Sequence, residues 1–458
     1  MFYYINKTSQ YSLEAEALFK QTRSGGLFPE KIRRNIKMFK KVLSLVLAIV
    51  MCCSLALAFA SCGETVKSDM TDAPLTPVEL VKDFEVASDF KLGVICLHDE
   101  ASTYDLNFIN GVEKIKQVLN LSDSQVIYKK NIPESAACTE AAEDLVDQGC
   151  KIVFANSFGH ETFLLQAAKN NPDVEFCHAT GTMAHTEDTP NFHNAFASIY
   201  EGRFLAGVAA GMKLNEMIAD GKITAEEAKM GYVGAFTYSE VISGYTSFFL
   251  GAKSVCPSVT MEVQFTGSWY DEIKEKEAAS ALIGKGCVLI SQHADSMGAP
   301  SVCEEKGVPN ISYNGSTDES CPSTFIVSSR IDWAPYFRYI IKQVSVGAAI
   351  ADDWCGGIAE GSVVLTGVNK TAAAEGTFEK IQQIAAKLQS GEIKVFDIET
   401  FKVEGEKLTS YVADVDTDAA YTPDTEAIVD GYFSESTERS APYFDVKIDG
   451  LTLINMEF

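Results

Sequence analysis

The residues best suited to contact a ligand lie in short segments that directly follow apolar runs of the sequence. These segments carry aromatic rings, carboxylates and carboxamides, and none of them contains a lysine or an arginine. Aromatic faces stack on flat rings, while Asp and Asn hydrogen-bond to ring edges or hydroxyls. A phosphate or carboxylate ligand would instead recruit Arg or a helix N-terminus. The pattern favours a neutral, flat, hydrogen-bonding ligand. The segments are 98–105, 156–160, 236–240, 267–271, 292–296 and 314–316.

Several of these side chains also have a purely structural interpretation. Asp295 is the strongest candidate for ligand contact, because a carboxylate directly after an apolar strand has no evident structural role. Asp105 or Ser102 could equally be the N-cap of the next helix. Trp269 could be a core residue rather than a ligand contact. These alternatives remain open at the level of the sequence.

Three histidines, His98, His160 and His293, could be imagined as metal ligands. They lie in different segments and lack the short spacing typical of metal sites, which favours structural roles. The sequence therefore predicts neither a metal nor a cofactor.

The segments must be positioned by two series of alternating strands and helices. Short apolar runs at 92–97, 125–128, 151–155 and 174–178 alternate with helical patterns and predict a first parallel sheet. Runs at 230–235, 260–265, 288–291, 310–313 and 324–327 predict a second. The fold class is thus α/β with two doubly wound, Rossmann-like lobes. Ligands of such sheets bind beyond the carboxyl ends of the strands, where the polar segments lie.

Charge and length limit the possible functions. The 458 residues carry a formal net charge of −25, which argues against nucleic-acid binding. Residues 1–61 hold 9 Lys+Arg and 3 Asp+Glu, so the remainder holds 29 positive and 60 negative charges, a net of −31. A basic start before an acidic body is typical of a targeting segment.

The N-terminal region is interpreted as an export signal. From Met38 a short cationic stretch precedes an apolar run, and 57–62 resembles a bacterial lipobox in which Cys62 is lipidated. The alternative is a transmembrane helix, since the run nearly reaches spanning length. Either interpretation places the body outside the cytoplasm, held at the cell membrane.

Sequence motifs in the body resemble one family. Residues 200–211 (YEGRFLAGVAAG), 230–235 (MGYVGA), 267–271 (GSWYD) and 292–296 (QHADS) are similar to the basic membrane protein family. Its members are lipoproteins that bind purine nucleosides or purine bases for ABC importers. The resemblance covers about residues 90–395. It implies a type I periplasmic-binding-protein fold, with two lobes joined by three hinge crossings that close on the ligand.

The resemblance also assigns roles to particular residues. Tyr104 takes the position of the base-stacking aromatic, and Asp105 that of an Asn which reads the base edge. Asn314 stands near a ribose-binding Asp, and Arg330 near a ligand-contacting Lys. Because Asp accepts but does not donate, the base and the base edge that are read stay open. Because Asn314 and Arg330 depart from the family's Asp and Lys, base and nucleoside ligands also both stay open. The candidate ligand-binding residues are Tyr104, Asp105, Asn156, Phe158, Glu240, Trp269, Asp295, Asn314 and Arg330.

These signals predict the organisation of the chain. Residues 1–37 are a doubtful N-terminal extension, 38–61 a lipoprotein signal peptide and 62–90 a tether. Lobe 1 comprises 91–198 and 327–352, and lobe 2 comprises 199–326 and 353–394. Residues 395–458 are a C-terminal extension, predicted as short strands and exposed chain. Its segment 414–425 resembles a calcium loop but lacks the turn Gly and the terminal Glu, which favours a solvated acidic loop.

The predicted function is that of a monomeric binding protein that delivers a purine to ABC permease and ATPase subunits. A ligand-sensing lipoprotein without a transport role is one alternative. An exported nucleoside-processing enzyme is the other, although its best acidic candidates, Asp99 and Glu100, lack a convincing partner. Nine cysteines follow Cys62, and Cys303–Cys321 is the one pair kept open as a disulfide.

Overall fold

Strands and helices alternate along most of the chain in the computed structural model, which describes residues 66–415 and 422–457. The signal peptide and Cys62 lie outside the described residues, as does most of the acidic loop around Asp416. The strands are β1 Leu92–Ile95, β2 Val126–Lys129, β3 Ile152–Ala155, β4 Glu175–Ala179, β5 Phe192–Ala197, β6 Lys229–Gly234, β7 Thr260–Phe265, β8 Leu289–Gln292, β9 Asn310–Tyr313, β10 Phe325–Ile331, β11 Asp353–Gly356, β12 Val363–Leu365, β13 Val412–Ala413, β14 Thr425–Glu426, β15 Ile428–Val429, β16 Tyr432–Phe433 and β17 Leu451–Ile454.

Helices connect most of these strands. They are α1 Thr103–Leu119, α2 Ala136–Asp147, α3 Glu161–Asn170, α4 Met183–Thr186, α5 Ile199–Ala219, α6 Ser239–Val255, α7 Glu272–Gly284, α8 Gly298–Lys306, α9 Ala334–Val346 and α10 Thr377–Gln389. Single turns of 3₁₀ helix occupy Asp123–Gln125 and Phe158–His160. The two predicted series of strands and helices are confirmed.

The first sheet forms the core of one lobe. Its six strands are all parallel, in the order β11-β5-β4-β3-β1-β2. The sequence missed β5, because His193 and Asn194 interrupt its apolar pattern although all six of its residues are buried. The structure satisfies both polar side chains: the His193 Nε2–Glu175 Oε2 distance is 2.8 Å, and Asn194 donates to Glu161 at 3.0 Å. Paired in this way, they can lie inside a sheet.

The second sheet forms the core of the other lobe. Its order is β12-β10-β9-β8-β6-β7-β17, and all neighbours are parallel except β10 and β12. In both sheets helices connect parallel strands, so the carboxyl ends of these strands point to a common edge. The two edges face each other.

The chain passes between the two sheets three times. It crosses after β5 into α5, after β10 into α9, which packs on α1, and after β11 into β12. The predicted crossings at 327 and 353 are displaced, since β10 stays in the second sheet to Ile331 and β11 pairs with β5 in the first. The segment Asp353–Gly356 is short and lacks an apolar run, so nothing in its sequence predicted a strand.

The pairing of α5 with α6 relies on two glycines. A Cβ at Gly207 would lie 2.0 Å from the Phe248 carbonyl oxygen, and one at Gly251 would lie 2.0 Å from the Phe204 carbonyl oxygen. The two helix backbones therefore touch, which explains the small residues of the motif at 200–211.

We expect Gly251→Ala to destabilise the protein by about 1–3 kcal/mol, because the added methyl group forces the two helices apart. Gly284→Ala is the matched control, since a Cβ there has nothing within 4 Å. The control should be neutral or slightly stabilising. Urea unfolding of the two variants checks this, and equal stabilities would contradict the close packing.

The C-terminal extension packs against the body, so the prediction of exposed chain is wrong, although its short strands are present. Phe396, Phe433 and Phe444 are buried in the main hydrophobic cluster. Strand β17 pairs with β7 and completes the second sheet. Glu435 accepts a hydrogen bond from Ser243 Oγ of α6 at 2.6 Å, and burial raises the pKa of Glu435 to about 7. No local pattern predicts this packing, because Ser243 and Glu435 lie 192 positions apart in the chain.

The cysteines of the described residues are all free thiols, and eight of the nine are buried. Cys303 and Cys321 are therefore not joined. In the part of the chain that the structure describes, no helix combines the length and apolarity needed to cross a membrane.

Candidate functional site

A narrow cleft, with about 390 Å³ of empty space including its opening to solvent, lies between the facing edges of the two sheets. The segments after β1, β3 and β4 line one side, and those after β6, β7, β8 and β9 line the other. The lining residues are Leu97, His98, Tyr104, Asp105, Ser157, Phe158, Thr180, Glu240, Trp269, His293, Asp295, Tyr313 and Asn314.

Seven of the nine predicted site residues lie in this cleft. They are Tyr104, Asp105, Phe158, Glu240, Trp269, Asp295 and Asn314. The other two do not line it. Asn156 is fully buried behind the cleft, and Arg330 lies half-buried on β10 opposite Val364 of β12.

Asp105 is held by backbone and side-chain donors. The amide of His98 and Nδ2 of Asn156 both donate to its Oδ1, at 3.1 and 2.7 Å. Ser102 is the N-cap of α1 and accepts from the Asp105 amide at 3.2 Å. The cap alternative therefore holds for Ser102, while the Asp105 carboxylate points to the cleft. Asn156 positions Asp105 rather than lining the cleft itself.

Tyr104 presents its ring to the same side of the cleft. Its hydroxyl donates to the Asn156 carbonyl at 2.9 Å, and its ring packs edge-on against Phe108 at 4.9 Å between centroids. Burial raises the pKa of Tyr104 well above its ordinary value, so the phenol stays neutral. The ring is thus fixed in place.

Trp269 occupies the opposite side as a half-buried side chain. Its ring packs edge-on against Phe236 at 4.9 Å, and its carbonyl accepts from the Asp295 amide at 2.9 Å. Trp269 thus lies at the border of the core, with part of its surface facing the cleft.

Asp295 lies deep in the cleft and is 5% exposed. Burial raises its pKa well above the ordinary value, and the nearby Asp105 carboxylate adds to the rise. Asn314 donates to Asp295 Oδ1 at 3.1 Å from a left-handed backbone conformation, which Asn tolerates. The neighbouring His293 is kept neutral, since burial lowers its pKa.

The two sides of the cleft are in direct contact. The backbone amide and hydroxyl of Thr103 both donate to the Asp295 carbonyl, at 3.2 and 3.0 Å. Asn107 donates to Asn314 Oδ1 at 3.1 Å, and the rings of Phe158 and Tyr238 lie 5.2 Å apart. The structure therefore represents a closed arrangement of the lobes.

Sequence reasoning missed Leu97, Thr180 and Tyr313 as lining residues. Thr180 and Tyr313 stand at the carboxyl ends of β4 and β9, so the strand-end rule itself could have identified them. Tyr313 is supported from behind by Arg203 of the 200–211 motif, whose guanidinium lies 5.0 Å from the ring centroid. Arg203 is fully buried and donates to Ser291 Oγ at 2.8 Å. Arg203 therefore has a structural position, and the cleft lining contains no Lys or Arg within residues 66–415 and 422–457.

The chain is similar in sequence to several binding proteins. The chain is 31% identical to a purine-binding protein of Brucella abortus over 59% of this chain and 73% of the relative. It is 31% identical to a putative ABC transporter glucose-binding protein of Haloferax volcanii over 47% of this chain and 51% of the relative. It is 30% identical to the ABC transporter nucleoside-binding protein BmpA of Lactococcus lactis, over 36% of this chain and 43% of the relative.

The fold likewise resembles solved binding proteins. An ABC transporter solute-binding protein from Conexibacter woesei matches with a TM-score of 0.54 and 19% identity, over 67% of this chain and 98% of that one. The predicted periplasmic-binding-protein fold is thereby confirmed.

A family profile described as ABC transporter substrate-binding protein, PnrA-like, matches residues 94–399. Members of this family are substrate-binding proteins rather than enzymes. They act outside the cytoplasm with permease and ATPase partners. The chain therefore belongs to the PnrA-like family of ABC transporter substrate-binding proteins.

Proposed function

We propose that this protein captures a neutral purine nucleoside or purine base in the cleft and delivers it to the permease of an ABC importer. The observation that carries the proposal is the lining of the cleft. Tyr104 and Trp269 offer aromatic surface from opposite lobes, and Asp105, Asp295 and Asn314 offer hydrogen-bonding groups. A flat heterocycle with polar edges complements such a lining.

The charge of the lining supports an uncharged ligand. Asp105 and Glu240 are acidic, and none of the described residues that line the cleft is Lys or Arg. A phosphate group would meet carboxylates without a compensating cation, which is unfavourable in a site shielded from water. Free nucleotides are therefore poor candidates.

Hinge closure supplies the capture step. The contacts of Thr103 with Asp295 and of Asn107 with Asn314 join the lobes directly above the cleft. These contacts must break for a ligand to enter, so we propose that the lobes open about the three crossings. The closed lobes would then be the form presented to the permease.

We also propose that the mature chain is a monomer, held at the outer face of the cell membrane by a lipid on Cys62. The lipobox-like segment 57–62 supports the lipid anchor on Cys62. In a lipoprotein-processing bacterium, Cys62→Ser should move the chain from the membrane fraction to the soluble fraction. An unchanged distribution would contradict lipidation.

A ligand screen by thermal unfolding tests the proposed function. Adenine, guanine, hypoxanthine and their nucleosides should raise the melting temperature, because a ligand that binds only the native state adds stability by mass action. At a free concentration of 100 times its Kd, a ligand adds about 2.7 kcal/mol to the free energy of unfolding. Isothermal calorimetry then gives the Kd of each positive compound.

The same screen contains its controls. AMP should give no shift, since its phosphate is repelled by the acidic lining. A shift with glucose or an amino acid, and with no purine, would contradict the purine ligand. Product formed from a nucleoside by the purified protein alone would show that it is an enzyme after all.

A further inference from the structure

One buried carboxyl group joins two segments of the second lobe. Glu275 lies in the first turn of α7 and is fully buried. The Asp271 amide donates to its Oε1 at 3.1 Å, and the Ser296 amide donates to both of its oxygens, at 3.3 and 3.2 Å. A single side chain therefore holds the backbone of two segments that are separate in the chain.

Both of these segments reach the cleft. Trp269 lies just before Asp271 in the first segment, and Asp295 directly precedes Ser296 in the second. The Asp295 amide also donates to the Trp269 carbonyl at 2.9 Å, so the segments are joined at two places. Glu275 lies behind them and not in the cleft lining, so it acts on a ligand only through its two neighbours.

Capping of α7 accounts for only part of this arrangement. Asp271 is the N-cap, and its Oδ1 accepts from the amides of Ile273 and Lys274 at 3.1 and 3.0 Å. The bond from the Asp271 amide to Glu275 completes this cap. The bonds from Ser296, however, come from outside the helix. Because Ser296 is 1% exposed, its amide would be left without an acceptor if the Glu275 carboxyl were removed.

The segment that contains Asp295 is also packed tightly. A Cβ at Gly298 would lie 2.8 Å from the Glu275 Cβ. Gln292 Nε2 donates to the carbonyls of Ala294 and Ser296, at 2.6 and 3.1 Å. The segment is thus fixed in position before a ligand arrives, which lowers the entropy cost of binding.

The charge of Glu275 can be separated from its length. Burial raises the pKa of Glu275 to about 7, so both the carboxylate and the neutral acid are present near neutral pH. Each form offers an acceptor oxygen, and so does the side chain of Gln, which has the same length.

We propose that Glu275 is a positioning residue of the ligand site, which holds Trp269 and Asp295 at the spacing that a purine requires. The identity of the ligand rests on the proposed function. The spacing of the two segments, in contrast, can be tested without a ligand.

The first test measures the Kd of the best purine ligand by calorimetry. Glu275→Ala should weaken binding about tenfold or more, because the two segments lose their common acceptor. Glu275→Gln should bind within about threefold of the wild type, since its Oε1 can still accept from both amides.

Glu304→Ala is the matched control. Glu304 lies on α8 of the same lobe, and both of its oxygens accept from the Ser323 amide at 3.2 Å. Ser323 precedes β10, at the end of the sheet away from the cleft. This variant should lose stability and keep the wild-type Kd.

Hydrogen exchange of the ligand-free proteins measures the positioning directly. Amides of 267–271 and 292–296 should exchange faster in Glu275→Ala than in the wild type, and at the wild-type rate in Glu275→Gln. If Glu275→Ala does not fold, Glu275→Asp replaces it, because a carboxyl group that is one methylene shorter is withdrawn from Ser296.

The contrary outcomes are distinct. A folded Glu275→Ala protein with the wild-type Kd and exchange rates would overturn the positioning role. Equal losses of affinity in Glu275→Ala and Glu275→Gln would assign the effect to the charge. An equal loss in Glu304→Ala would assign it to general stability. If no purine bound the wild type, the proposed function would fail, and the exchange rates would still decide whether Glu275 holds the two segments.

Discussion

Trp269→Ala should weaken purine binding by about 10- to 100-fold and leave the folded structure intact. Stacking of a base on an aromatic side chain contributes about 1–3 kcal/mol, which the substitution removes. The fold should persist because Trp269 is only half-buried and its contact with Asp295 uses the main chain. Calorimetry of the best purine ligand measures the loss, and circular dichroism with urea unfolding measures the stability.

Tyr128→Ala is the matched control for this substitution. Tyr128 is a half-buried aromatic on the edge strand of the first sheet, and its hydroxyl donates to Glu113 at 3.0 Å. It does not line the cleft, so its loss should cost some stability and no affinity. If Trp269→Ala unfolds the protein, Trp269 is a core residue. If affinity is retained in a folded variant, the stacking role is wrong.

Asp105→Asn should change the ligand preference without disturbing the fold. Both hydrogen bonds that hold Asp105 end on Oδ1, and an Asn carbonyl oxygen can accept them equally well. The second oxygen becomes an NH₂ group, so an acceptor facing the ligand becomes a donor. The wild type should favour a base edge that donates hydrogen bonds, as in guanine. The variant should favour a base edge that accepts them, as in adenine.

The expected change in the guanine-to-adenine affinity ratio is about tenfold or more, since a hydrogen bond to a charged group contributes about 1.5–3 kcal/mol. Asp123→Asn removes one charge from an exposed position of the same lobe and should leave the ratio unchanged. An identical ratio in Asp105→Asn and wild type would show that Asp105 does not read the base.

The same variant has a second, ligand-free readout. Burial and the Asp105 carboxylate both raise the pKa of Asp295, so the native state keeps a proton that the unfolded chain loses near pH 4. The native state then binds more protons, and this group makes the free energy of unfolding fall as the pH rises above about 4. In Asp105→Asn the pKa of Asp295 is lower, so this fall should be smaller. Urea unfolding between about pH 4 and 8 compares the two slopes, and equal slopes would contradict the coupling.

Local sequence patterns were sufficient to predict the two-sheet architecture and most of the cleft. Apolar runs and helical periodicity are local patterns, and parallel strands place their carboxyl ends at one edge. Residues that come directly after strands, such as Trp269 and Asp295, could therefore be placed at the cleft from the sequence alone. The neutral character of the ligand site was inferred from the same segments, since none contains Lys or Arg.

Features that depend on partners distant in the chain became visible only in the folded protein. Arg330 was expected near the ligand, but its position on β10 opposite β12 keeps it out of the cleft. Asn156 comes directly after a strand as expected, yet its amide turns to Asp105 and lies buried behind the lining.

The C-terminal extension shows the same limit most clearly. Its polar, weakly periodic sequence predicted exposed chain, but β17 joins the second sheet, and Phe396, Phe433 and Phe444 are buried in the main hydrophobic cluster. Its aromatic residues are buried by elements far away in the chain, and such long-range contacts leave no local periodicity to recognise. Local patterns identify the residues at the end of each strand, whereas the side chains that pack against them are brought together only by folding.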